Sequence, residues 1–201
     1  MEQVEFVRVR CFLQGDRGVG KTSLCWTHNS RQFPHRRNLD FTYESLGQDV
    51  EVEDGRRVTL QYMEVPTVGD LDISASLPDL SYKWCDVCLM CFSLVNPHTY
   101  ETILEDYYAH FTKWRFDVPI VVVGLKNDLV DDADTLALLR ASGETPLTHE
   151  DGVRLAETIN AASYVDCSSL SGQGVDHVFH EARAAALGEK KSHSKRLCSI
   201  M

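Results

Sequence analysis

No apolar run in this chain reaches the length that a membrane-spanning helix needs, and no basic-then-apolar segment opens it as a secretory signal would. The expectation is a protein that folds in water in the cytosol. Positive charge is scarce: 20 Lys and Arg stand against 30 Asp and Glu, a net charge of −10. Nucleic-acid backbones demand a basic footprint, so nucleic acid is excluded as a general partner. The deficit is uneven, because residues 190–201 hold four Lys/Arg and no acid, which leaves −14 on the 189 residues before them. Cysteine is short of a partner as well. Seven is an odd number, and without a secretory signal it reads as free thiols in a reducing compartment. Internal repeats are absent, and only the tail after Gly188 is linker-like. At 201 residues, with 43% hydrophobic and 25% charged residues, one domain with a sizeable core is expected.

The most informative stretch that is present is Gly15-Asp16-Arg17-Gly18-Val19-Gly20-Lys21-Thr22. It fits the pattern G-x-x-x-x-G-K-[ST] and follows the apolar, strand-like run Val7 to Leu13. Glycines let backbone N–H groups turn inward onto phosphate oxygens. Lys21 brings a cation beside the β- and γ-phosphates, and the Thr22 hydroxyl can meet Mg²⁺. The helix that follows points its positive end at the anion. A glycine-rich turn beside a surface lysine would explain the letters but not their placement between a strand and a helix.

Around this loop, periodicity predicts alternating strands and helices. Strands are expected at Val4–Leu13, Val50–Glu53, Val58–Glu64, Val87–Ser93, Ile120–Gly124 and Tyr164–Asp166, the second and third joined as a hairpin around Asp54-Gly55. Helices are expected at Lys21–Ser30, from an Asn96 cap and Pro97 to about Trp114, at Ala133–Ala141, from Thr148 to Ile159 and at Val175–Leu187. Thr148 with Asp151 reads as a capping box. Residues 31–48 and 65–81 read as loops. Fully apolar strands alternating with helices mean an α/β fold, a mainly parallel six-stranded sheet with one antiparallel edge strand and helices on both faces.

With these elements in place the chain resembles the Ras superfamily of small GTPases, and within it the Rho/Rac branch. The resemblance rests on the phosphate loop, Leu89-Met90-Cys91-Phe92-Ser93, Val118-Pro119-Ile120 leading into Gly124, and Lys126-x-Asp128-Leu129 at the place of the guanine-reading N-K-x-D. Residues 130–147 correspond to the insert helix of the Rho branch. The resemblance covers about residues 4–187, and it implies a P-loop small-GTPase domain over residues 1–188 and a basic tail over 189–201. It further implies GTP/GDP and Mg²⁺ as ligands. Phosphates would be held by Gly15 to Thr22, guanine by Phe33, Lys126, Asp128, Ser168 and Ser169, and Mg²⁺ by Thr22, Thr42 and Glu64.

Four departures weaken the expected chemistry. Arg17 stands where the family has a glycine against the γ-phosphate, in the way of attacking water and of an incoming arginine finger. The family's D-T-A-G-Q has become Glu64-Val65-Pro66-Thr67-Val68-Gly69-Asp70, so the water-orienting glutamine is gone and the shorter, charged Asp70 follows the glycine. Leu125 replaces the asparagine of N-K-x-D, and Leu170 the lysine of S-A-K. No intact catalytic residue is left, Arg17 and Asp70 occupying altered positions. An Arg17 that acts as its own finger would still lack a residue to position water.

The tail carries a second signal. Cys198-Ser199-Ile200-Met201 fits the C-a-a-X prenylation box, with Lys190, Lys191, Lys195 and Arg196 upstream. One lipid chain anchors marginally, and a polybasic run adds ~1 kcal/mol per charge at an anionic leaflet. Blander readings suffice elsewhere. Cys85-x-x-Cys88-x-x-Cys91 has ligand-like spacing but runs into a buried strand. His177 and His180 suit a solvated helix face, and Trp84, Trp114, Tyr107 and Tyr108 suit the rim of the core. The expectation is a signalling protein anchored at the cytoplasmic face of the plasma membrane or endomembranes, binding GTP and hydrolysing it poorly. It would present loops 34–48 and 65–81 to effectors and meet exchange factors or a dissociation inhibitor. The rival is a nucleotide-free pseudo-GTPase that serves as an interaction scaffold, and a third reading is a slow GTPase rescued by an unusual activator.

Overall fold

Val87–Ser93 is buried at every residue, and so is Ile120–Leu125, which is possible only if both faces of the sheet are covered. The computed structural model describes residues 6–34, 47–51, 57–64, 85–113 and 117–188, with backbone alone at 47–51, 64 and 113. Strands β1 (Phe6–Gln14), β2 (Gly47–Glu51), β3 (Arg57–Glu64), β4 (Val87–Ser93), β5 (Ile120–Leu125) and β6 (Ser163–Asp166) form one sheet in the order β2-β3-β1-β4-β5-β6. Every pairing is parallel except β2 with β3. Val50 pairs with Val58 there, as the hairpin reading requires, while Asp54-Gly55 lies outside the described residues.

Helices α1 (Lys21–Ser30), α4 (Ala133–Ala141), α5 (His149–Thr158) and α6 (Val175–Leu187) fall where periodicity puts them. Between β4 and β5, α2 (His98–Thr102) runs into a π-helical segment (Ile103–Tyr108) and on into α3 (Ala109–Lys113). Along β4 the side chains alternate. Leu89 and Cys91 join Leu24, Val178 and Phe179 beneath α1 and α6. Cys88, Met90 and Phe92 join Ile103, Tyr107, Phe111, Leu155 and Ile159 on the other face. Gly152 of α5 is there because Tyr164 is: a Cβ at that position would lie 1.9 Å from the tyrosine ring.

The capping box at α5 forms as expected, Thr148 accepting from the Asp151 N–H and Asp151 from the Thr148 N–H. The Asn96 cap does not. Pro97 precedes α2 already in helical conformation, without a side-chain cap. Thr99 explains the difference, because its hydroxyl accepts from the Ser93 N–H (2.9 Å) and donates to the Asn96 carbonyl (2.7 Å). The Asn96 carbonyl also accepts from the Thr99 N–H (3.1 Å), so the turn into α2 is closed through the asparagine's backbone.

Cys11, Cys25, Cys85, Cys88, Cys91 and Cys167 are all buried thiols outside any disulfide among the described residues. Burial pushes the Cys85 thiol up to about 12 and that of Cys88 well above its usual value. His177 and His180 are exposed beside Glu181. Trp84 and Trp114 lie outside the described residues. No described helix is long and apolar enough to cross a membrane.

Candidate nucleotide site

The chain leaves β1 toward β2 and β3 on one side and toward β4 on the other, so the carboxyl end of β1 is the switch point where open α/β sheets bind ligands. The loop Gly15–Gly20 occupies it. Gly15 has φ 142°, and a Cβ there would lie 2.0 Å from the Cys91 carbonyl oxygen. Only glycine lets the loop leave β1 so close to β4. Gly18 and Gly20 also have positive φ, 80° and 120°. Val19 is buried and anchors the loop to the core, while Arg17 and Gly18 are exposed at its crest.

Lys21 opens α1 and is only 7% exposed. Its Nζ donates to the Gly15 carbonyl (2.7 Å) and the Asp16 carbonyl (2.9 Å). Among the described residues no carboxylate pairs with this ammonium. A buried cation held by two loop carbonyls, at the foot of a loop of positive-φ glycines and at a helix N-terminus, fits a phosphate. Thr22 follows it, half-buried. Thr42, Asp70 and Cys198 lie outside the described residues, as does the side chain of Glu64.

The residues expected to read guanine gather at the exits of β5 and β6. Lys126 takes a left-handed conformation (φ 64°) that turns the chain into a 3₁₀ turn, Asn127–Leu129. The Asn127 N–H donates to the Cys167 carbonyl (3.1 Å), bringing Asp128 beside the Ser168–Ser169 loop. Burial lowers the Lys126 pKa and nearby Asp128 raises it. Asp128 is exposed. Thr27 of α1 donates its hydroxyl to the Ser169 carbonyl (3.1 Å), so one helix carries Lys21 at its start and braces the base side near its end. Phe33, half-buried, stands just beyond that helix.

Of the predicted guanine contacts, the serine side chains are turned inward. Ser168 is fully buried, its hydroxyl accepting from the Ser171 N–H (3.1 Å), and Ser169 is 8% exposed. Leu170 is 55% exposed. Leu125 is buried against the loop: a Cβ at Gly20 would lie 3.7 Å from its Cδ1. Ser93, its register partner on β4, has a buried hydroxyl with no hydrogen-bond partner among the described residues.

Two ties escaped the sequence reading. Tyr107, 1% exposed, donates its hydroxyl to Asp16 Oδ1 (2.9 Å). His28 is buried on α1, stacked on Phe179 (4.1 Å between centroids), with Nδ1 2.5 Å from the Tyr62 hydroxyl. Nothing local in the sequence signals either, since the partners stand far apart along the chain.

The strand, glycine loop and helix, with a base side at the ends of β5 and β6, match the Ras family, whose model covers residues 10–187. The chain belongs to the Ras family of small GTPases. Within it the chain falls in the Rho branch. It is 37% identical over 190 residues to the GTP-binding protein RHO1 of Saccharomyces cerevisiae, covering 94% of this chain and 88% of the relative. It is 35% identical over 196 residues to the GTP-binding protein RHO1 of Candida albicans, covering 97% and 96%.

Proposed function

We propose that this chain is a membrane-anchored Rho-like signalling protein that holds GTP, hydrolyses it slowly and presents its switch loops to effectors. The observation that carries the proposal is the Lys21 ammonium, buried on two loop carbonyls with no described carboxylate beside it. Backbone N–H groups from Gly15 to Thr22 and the start of α1 share the phosphate charge. Thr22, with Thr42 and Glu64, would hold Mg²⁺, which supplies neutralisation of charge on the β- and γ-phosphates. Asp128 accepts from the guanine N1–H and N2–H₂ edge, and Phe33 packs across the base.

Turnover suffers more than binding. Exposed Arg17 stands at the crest over the phosphate cradle, and no glutamine follows Gly69. Loss of arginine-finger access alone is worth ~10³–10⁵ in rate. Leu125 and Leu170 remove hydrogen-bonding groups worth ~1–3 kcal/mol each, which speeds release. Loading then follows the nucleotide pool, and activity is set by expression, degradation or phosphorylation. A prenylated Cys198 and the basic tail would hold the protein at the inner leaflet; loops 34–48 and 65–81 would meet effectors, with exchange factors and a dissociation inhibitor as further partners.

Heat-denaturing the protein purified from cells and separating the released nucleotide tests this reading. GTP is expected. GDP would select a slow GTPase that still cycles. Empty protein with no saturable GTP binding at millimolar Mg²⁺ would select the pseudo-GTPase scaffold, which the apolar Leu125 and outward Leu170 favour. In single turnover, neither wild type nor Arg17→Gly should gain more than about tenfold from a Rho-type activating protein; a gain of ~10³ would overturn slow turnover. Cys198→Ser should move the protein from membrane to soluble fractions, and unchanged fractionation would remove the anchor.

A further inference from the structure

Asp16 presents a difficulty inside an anion-binding loop, because a carboxylate there would repel the phosphates that the loop is shaped to hold. Its environment resolves this. The Tyr107 hydroxyl donates to Asp16 Oδ1 at 2.9 Å, while the Asp16 carbonyl accepts from Lys21 Nζ at 2.9 Å. One residue is therefore gripped on both ends, its charge by a phenol and its backbone by the phosphate-binding lysine. Tyr107 is well fixed for this. It is 1% exposed, among Phe12, Ile103 and Phe111 in the core under the π-helical segment. Ile103, Tyr107 and Phe111 recur at intervals of four. An α-helix drifts by ~40° over each such step, and the wider π turn takes out part of that drift, keeping the three in line. π turns inside helices are frequently found at functional sites.

At the opposite end of the loop, Gly20 has the apolar Leu125 as its side-chain neighbour, 3.7 Å from where a Cβ would stand. We infer that Tyr107 is a positioning residue for the phosphate loop: its hydroxyl draws the Asp16 carboxylate aside and fixes the loop that orients Lys21. This rests on the reading of the loop as a nucleotide-phosphate site. The tyrosine touches no ligand and acts through Asp16.

The full chain tests it with Tyr107→Phe, which keeps the ring in the core and removes the donor. Release of a fluorescent GDP analogue should accelerate about tenfold, the scale of a hydrogen bond to a charged group, while the unfolding midpoint stays within a few degrees of wild type. In an Asp16→Ala background, whatever the release rate of that variant, adding Tyr107→Phe should change nothing further. Hydrogen exchange of the Arg17 to Lys21 amides, read without nucleotide, should quicken in Tyr107→Phe and not additionally in the double variant. Unchanged release and exchange in Tyr107→Phe, or the same acceleration in the Asp16→Ala background, would overturn the inference. If wild type binds no nucleotide, the phosphate-site reading fails, and the exchange measurement alone still decides whether Tyr107 fixes the loop.

Discussion

At the phosphate end, Lys21 is buried on two carbonyls, glycines take conformations closed to other residues, and Asp16 is gripped by Tyr107. At the base end, Leu125 is packed as a core residue, Leu170 faces solvent, both serines turn inward, and Asp128 stands exposed on its turn. The first is a polar site with its partners in place. The second keeps a defined backbone course, through Lys126 φ and the Asn127–Cys167 hydrogen bond, with few polar side chains facing outward. The contrast teaches that a binding loop and a recognition pocket on one fold respond to substitution separately. Backbone geometry survives the loss of side-chain chemistry.

The strongest way to break this comparison is Lys21→Ala. If the phosphate end carries the affinity, GTP titration should show binding weakened by at least about a thousandfold, more than one ordinary hydrogen bond. Retained binding would shift the weight to the base. Next comes Asp128→Ala, which should lower the preference for GTP over ATP by roughly a hundredfold while leaving ATP affinity in place; an unchanged preference would mean that the base is not read there.

Sharpening comes from Leu125→Asn. An amide there places donor and acceptor beside the unpaired Ser93 hydroxyl, so nucleotide release should slow by about tenfold. Slower release without a change in unfolding midpoint assigns the gain to the site; a destabilised protein would show that the apolar packing of Leu125 outweighs the polar tether.

The smallest effect lies in the helix that joins the two ends. Burial, with Asp176 opposing and Arg31 assisting, lowers the His28 pKa to about 4. Its ordinary value is higher, so between about pH 6.5 and 4 the unfolded chain takes up a proton that the folded chain refuses. Stability from this residue is intact above that window and falls as pH falls through it. The unfolding midpoint at pH 5 should drop below that at pH 7, and the difference should shrink by a few degrees in His28→Gln. An equal pH response in both would show that other groups account for it.

Much of the fold was legible because its signals are local. β4 is an unbroken apolar run, α5 opens on a four-residue cap, and the phosphate loop is a contiguous motif. What stayed hidden depends on residues that meet only after folding. Asp16 and Tyr107 are 91 positions apart, and Thr27 and Ser169 are 142 apart. A tyrosine in an apolar stripe reads as packing until its hydroxyl is seen to reach a carboxylate. Asn96 is a local case instead: its carbonyl closes a turn by accepting from the Thr99 N–H and hydroxyl, where a side-chain cap was expected. The Ser168 hydroxyl is likewise committed within its own loop, to the Ser171 N–H, which the letters Ser168-Ser169 do not signal.

The six enclosed thiols have a practical consequence for labelling chemistry. Alkylation requires a thiolate within reach of reagent, and these cysteines are buried thiols outside any disulfide. A maleimide added to the native protein thus has one remaining candidate, Cys198, which prenylation would block. Mass spectrometry of the native, labelled protein could then count unlipidated chains in a preparation, and the six others would take up label only as the domain unfolds, which makes the same reagent a clock for opening of the core.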